Sequence, residues 1–158
     1  MKTLLTLIAL AATLTVAQAQ DYTASLDGAQ AGGGARTGSG TATLTIHGGN
    51  LLDYMVMYSG LSGNVVNQHI HGPAGPGTNA GVLVQFNAPV GGMISGVNVP
   101  LSAATIAAMN AGLTYVNIHT STFGGGEIRG QIYMVPEPAT AAVLGLGLAA
   151  LVVARRRK

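Results

Sequence analysis

The chain has 158 residues, no cysteine, 4% aromatic and 8% charged residues, and a formal net charge of +2. Without cysteine an exported fold has no disulfide framework, and thiolate catalysis and cysteine-based metal sites are excluded. The positive balance belongs to the ends: residues 20–135 carry Arg36 and Arg129 against Asp21, Asp27, Asp53 and Glu127, a net of −2, so a nucleic-acid partner has no electrostatic basis.

Met1-Lys2 gives a short positive start, and Leu4 to Val16 is apolar except for Thr6, Thr13 and Thr15. Ala17-Gln18-Ala19 then places small residues where signal peptidase needs them. Residues 1–19 are expected to be a secretory signal, with Gln20 as the mature start. Residues 20–135 suit one domain.

Within that domain Thr41 to His47 alternates, Ala42, Leu44 and Ile46 facing one way and Thr41, Thr43, Thr45 and His47 the other. A period of two is the half-buried strand pattern. Tyr22–Leu26, Leu52–Tyr58, Val65–His71, Val82–Phe86, Ile94–Val99, Leu113–His119 and Glu127–Met134 also read as strands separated by Gly- and Asn-rich turns. Ser102 can cap a helix over Ala103–Asn110, with Gly112 as its stop and Ile106 and Met109 covering part of the core. The expected fold is all-β: a Greek-key-like β-sandwich or barrel of about eight short strands with one short helix. The loop Gly72–Asn79 is rich in Gly and Pro, but it lacks a Gly-Lys-Ser/Thr ending and no helix follows, so it is not a phosphate loop.

Four histidines lie in the domain. His69 and His71, two apart in a strand, project from one face. His119 ends another predicted strand; if the two strands pair, three imidazoles converge as ligands suited to copper or zinc. The alternative is structural, since neutral imidazole can hydrogen-bond turn backbone through both nitrogens. His47, alone before Gly48-Gly49, reads as an exposed or turn residue. Glu127 and Arg129 share a strand face and read as a surface ion pair, worth well under about 1 kcal/mol. No Gly-x-Ser-x-Gly elbow occurs, and the few acids lie in unrelated segments, so neither a nucleophile nor a glycosidase carboxylate pair is expected. The domain is expected not to be an enzyme. Tyr54 and Tyr58 are the tyrosines that could stack on a sugar.

Past residue 135, Pro136-Glu137-Pro138 breaks helix propagation, Ala139 to Ala154 is wholly apolar, Gly or Thr, and Arg155-Arg156-Arg157-Lys158 closes the chain. Sixteen residues at a rise of about 1.5 Å span roughly 24 Å, and snorkelling cations extend this towards a hydrocarbon core of about 30 Å. A transmembrane helix over 139–154 with a cytoplasmic basic end at 155–158 is expected.

Two resemblances follow. Gln68-His69-Ile70-His71-Gly72-Pro73-Ala74-Gly75, then Tyr115–Thr120, then Gly125-Gly126-Glu127-Ile128-Arg129-Gly130-Gln131, resembles the CHRD (chordin-type) domain over nearly all of residues 21–134. That implies a β-sandwich-like module of exported proteins without established catalysis. The His-x-His strand is also similar to that of copper–zinc superoxide dismutases, without that family's bridging-His and Asp ligand run or its cysteines. The triplet Pro136–Pro138, the apolar stretch and the basic end resemble the PEP-CTERM tail over 136–158. This implies recognition and cleavage by an exosortase, after signal peptidase has acted. The expected course is export, anchoring in the inner membrane, processing, and a cell-envelope or extracellular destination. The expected role is interaction with matrix polysaccharide or surface proteins; the alternative is a histidine-based copper or zinc binding protein.

Overall fold

Strand alternation carries into the structure with few changes, and the computed structural model describes residues 19–136. The elements are β1 (Gln20–Asp27), β2 (Ser39–His47), β3 (Leu51–Ser59), β4 (Val65–His71), β5 (Val82–Gln85), β6 (Met93–Pro100), α1 (Ala103–Asn110), β7 (Tyr115–Thr120), β8 (Ile128–Gln131) and β9 (Tyr133–Met134). The expected signal peptide as far as Gln18, together with Glu137, Pro138, the expected membrane helix over 139–154 and the basic end 155–158, lies outside the described residues. Among the described residues no helix is long and apolar enough to cross a membrane.

The strands form one antiparallel sheet in the order β5-β4-β7-β8-β1-β2-β3-β6, with β9 added to β1. The sheet curls into a half-barrel rather than dividing into two stacked sheets. Its two edges are drawn together just past β5: the Asn87 backbone N–H donates to the Tyr54 hydroxyl (2.9 Å), its side-chain amide to Ser95 O (2.8 Å), and the Tyr54 and Phe86 rings stack at 4.0 Å. The expected last strand is two strands, because the fully buried Ile132 leaves the ladder and donates its N–H to Thr114 O (2.9 Å).

Leu26, Leu44, Leu52, Val56, Ile70, Ile94, Val116, Ile118 and Ile128 meet inside the curl, each contributing on the order of 1.5–3 kcal/mol of burial free energy. The helix closes one end: the Ser102 hydroxyl accepts the Thr105 N–H (3.1 Å), Gly112 takes φ +68°, and Met109 is fully buried. Gly96 allows the Tyr54 ring to cross β6, since a Cβ there would lie 2.5 Å from the ring.

The two halves of the sheet differ in their second face. β1, β2 and β3 alternate between buried and exposed, one face on the core and one in water. β4 ends in four successive buried residues, and β7 and β8 are buried almost throughout. Both of their faces are covered: the apolar one by the core, the polar one by loops.

Glu127 and Arg129 belong to this covered region and correct the expectation of a surface ion pair. Glu127 precedes β8, is fully buried, and accepts hydrogen bonds from the Ser62 N–H and the Thr120 hydroxyl, each at 2.6 Å. Burial alone raises its pKa, but the bonds from Thr120 and Ser62 outweigh that and hold the carboxyl below its ordinary value. A depressed carboxyl pKa stabilises the fold above the usual carboxylate range and loses that contribution as pH falls through it. Glu127→Gln is therefore expected to lower unfolding free energy at neutral pH by about 1–3 kcal/mol. In denaturant titrations the gap to wild type should narrow in acid.

Candidate metal centre

The site begins with the register between β4 and β7. His71 faces Tyr115, His69 faces Asn117, and Asn67 faces His119. His69, His71 and His119 thus share the polar, loop-covered face, with His119 diagonal to His69. Ring centroids are 5.1 Å apart for His69 and His71, 5.2 Å for His69 and His119, and 5.6 Å for His71 and His119. One nitrogen from each ring lies within 4.8 Å of the other two. The three candidate ligands are brought together.

Backbone carbonyls settle which nitrogens face inward. His71 Nδ1 lies 2.9 Å from Ala80 O, and His119 Nδ1 lies 2.9 Å from Gly124 O. A carbonyl only accepts, so both Nδ1 atoms carry the proton and both Nε2 atoms present lone pairs. His119 Nε2 lies 3.3 Å from His69 Nδ1. His71 Nε2 is buried without a hydrogen-bond partner among the described residues, a cost of about 1–3 kcal/mol for a lone pair left unused. Ligand imidazoles oriented by carbonyls on their far nitrogen are the usual second layer of a metal site. Burial, reinforced by the neighbouring His119, lowers the His69 pKa; burial, reinforced by His119 and Arg129, lowers that of His71. Both are therefore neutral near pH 7, the form that binds a cation.

The loops above the face are fastened by Arg129 and Gln131. Arg129 is 4% exposed and donates to Thr78 O (2.8 Å), Gly75 O (3.3 Å) and Asn79 Oδ1 (3.2 Å). Its guanidinium lies 3.3 Å from the Tyr115 ring centroid, and the other partner of that ring is His71, stacked at 5.1 Å with 6° between planes. Gln131 donates to Ala74 O (2.9 Å) and Gly112 O (2.8 Å). The Gly- and Pro-rich loop after β4 is thus the cover of the histidine face, and it supplies the Ala80 carbonyl. The loop after β7 supplies Gly124 O and is held by Asn117, which donates to Gly125 O (3.2 Å). Arg36 adds a bond to Gly126 O (3.0 Å) and sits over Phe123. A cavity of about 200 Å³ lined by Gln30, Gly32, Asn79, Asn117, Gly125 and Arg129 opens beside the cluster.

The other residues raised by the sequence lie elsewhere. His47 ends β2, half-buried, with Nε2 3.1 Å from Asp53. Tyr54 is 4% exposed and packed on Phe86, and Tyr58 is half-buried against the core. Of the sorting motif, Pro136 is described and exposed. Sequence reasoning missed Asn117 and the two backbone carbonyls that accept from the rings, those of Ala80 and Gly124. Asn117 was visible as a polar residue amid Val116 and Ile118; a backbone carbonyl leaves no side-chain signal.

Comparison with known proteins gives two family matches. The model of the CHRD domain matches residues 22–132, and that of the PEP-CTERM protein-sorting motif matches residues 135–158. No curated protein matches the chain, and no solved structure does.

The lowered pKa values give a pH dependence for the metal-free protein. Unfolded imidazoles protonate near pH 6.5 while folded His69 and His71 resist, so the unfolded state gains protons first as pH falls. Stability is expected to be full above about pH 6.5 and to decline below it as pH drops towards the folded pKa values. In thermal melts across pH, the double variant His69→Gln, His71→Gln should show a flatter decline.

Proposed function

We propose that this chain, which belongs to the CHRD domain family and ends in a PEP-CTERM sorting motif, is an exported envelope protein whose domain binds a copper or zinc ion through His69, His71 and His119. The motif implies export, membrane-anchored sorting and processing by an exosortase. The observation that carries the metal reading is the convergence of three imidazoles, two of them held by carbonyls on the far nitrogen. Three imidazoles with a fourth position for water suit zinc, and an all-imidazole set suits copper.

The role is binding rather than catalysis. Each acid of the domain has a structural partner: Asp21 with Thr45, Asp27 with Gln30, Asp53 with His47 and Asn98, and Glu127 with Ser62 and Thr120. Interaction with matrix polysaccharide or surface proteins stands second, since Tyr54, one of the two tyrosines that would favour it, is buried and stacked on Phe86.

Elemental analysis of the full-length protein after exposure to copper and zinc, followed by exhaustive dialysis, tests the binding. One ion per chain is expected in wild type and none in the His69→Ala, His71→Ala, His119→Ala protein. The single change His71→Ala, which removes the buried Nε2, should weaken affinity by about a hundredfold or more, at or beyond the upper end of second-layer effects. Equal metal in wild type and triple variant rules the site out. For sorting, mass spectrometry of the mature protein should find the segment 139–158 missing, and replacement of Pro136 and Pro138 by Ala should leave it attached.

A further inference from the structure

The outward face of β3 and β6 breaks the pattern kept by its neighbour. On β2 the water-facing positions are Thr41, Thr43 and Thr45, as alternation with the buried Ala42, Leu44 and Ile46 requires. On β3 the same face carries Met55 and Met57, 43% and 55% exposed, and on β6 it carries Met93, 39% exposed. Met57 lies directly opposite Met93, and Met55 opposite Ser95, so Met55 and Met93 are diagonal neighbours. Directly opposed Cβ atoms lie about 4.5–5.5 Å apart and diagonal neighbours about 7–8 Å. Both separations are within reach of unbranched side chains with three rotatable bonds each. The backbone beneath is fixed: Tyr58 N–H donates to Gly92 O (3.0 Å), and Val90 and Met93 exchange hydrogen bonds of 2.8 and 3.1 Å. The adjoining residues on the face, Thr41, Thr43 and Ser95, are short and hydroxylated, leaving the thioethers open to solvent.

We propose that Met55, Met57 and Met93 form a surface site for Cu(I), held by three thioether sulfurs. Thioethers are soft, neutral donors that select Cu(I) over harder cations. In a chain with no cysteine they are the only soft sulfur ligands available. They carry no proton at any ordinary pH, so this site keeps its ligands in acid, where imidazoles protonate. It shares no residue with the histidine cluster and stands whether or not that cluster binds metal. Met109, fully buried, and Met134, on β9, are internal controls.

Anaerobic titration of the full-length protein with Cu(I), in competition with a chromophoric Cu(I) chelator, tests the site. Met55→Leu, Met57→Leu, Met93→Leu protein, altered only at exposed positions, is expected to bind one Cu(I) fewer per chain than wild type. The His69→Ala, His71→Ala, His119→Ala protein is expected to keep that ion. With Ag(I) as a redox-inert probe, the methyl resonances of Met55, Met57 and Met93 should shift in wild type while those of Met109 and Met134 stay in place. Unchanged Cu(I) stoichiometry in the leucine variant, complete loss in the histidine variant, or Ag(I) shifts confined to other methionines would each overturn the proposal.

Discussion

The pairing of Asn67–His71 of β4 with Tyr115–His119 of β7 in one register is the constraint on which the rest of the site depends. It sets His69 against Asn117 and His71 against Tyr115, so that Ile70, Val116 and Ile118 fall together on the core side. A slip of one residue would turn the imidazoles into the apolar interior and the isoleucines out beneath the loops. Core burial therefore fixes the register, and the register places His119 next to His69. The two strands are distant in sequence, with β5, β6 and α1 between them, and they meet because the chain crosses over before returning beside β4.

Once that face is covered, every polar group on it needs a partner, because an unpaired buried donor or acceptor is costly. Arg129 meets the need by binding loop carbonyls and Glu127 by binding Ser62 and Thr120, while Gln131 and Asn117 donate to loop carbonyls but keep buried amide oxygens without a partner among the described residues. The same bonds hold the loops in place, and the loops return the Ala80 and Gly124 carbonyls to the histidine rings. Ring orientation is thus set by the fold before any ligand arrives, which is what a tight site requires. Within the cluster, His71 Nε2 is buried without a hydrogen-bond partner among the described residues. The cation stacked on Tyr115 contributes differently: Arg129 fastens the cover and disfavours a second positive charge on His71.

Much of the fold was legible where one physical rule acted alone. Val65–His71 and Ala103–Asn110 are found at their expected limits, and Thr41–His47 lies within a strand two residues longer, because alternation and capping are local signals. Expectation failed where tertiary cover overrode the local pattern. A polar residue at every second position looks like a wet face, so Glu127 and Arg129 read as a surface pair, yet loops bury both. Ile132 splits the last strand because the core takes its side chain in place of ladder pairing. The His-x-His pair was visible in the sequence, but the position of His119 depended on a strand order that spacing does not encode. On the outward face of β3 and β6 the methionines are likewise a departure from pattern, and departures of this kind concentrate at functional surfaces.

A small domain without disulfides, followed by a PEP-CTERM sorting motif, thus carries its donors on two separate faces: imidazoles beneath loops and thioethers in the open. The arrangement of the imidazoles is the central claim, and X-ray absorption of the zinc-loaded, full-length protein examines it most directly. The expected spectrum has three imidazole nitrogens at about 2.0–2.1 Å, identified by multiple scattering from the rings. A first shell made only of oxygen, with no imidazole signature, would contradict the convergence of His69, His71 and His119 on one ion.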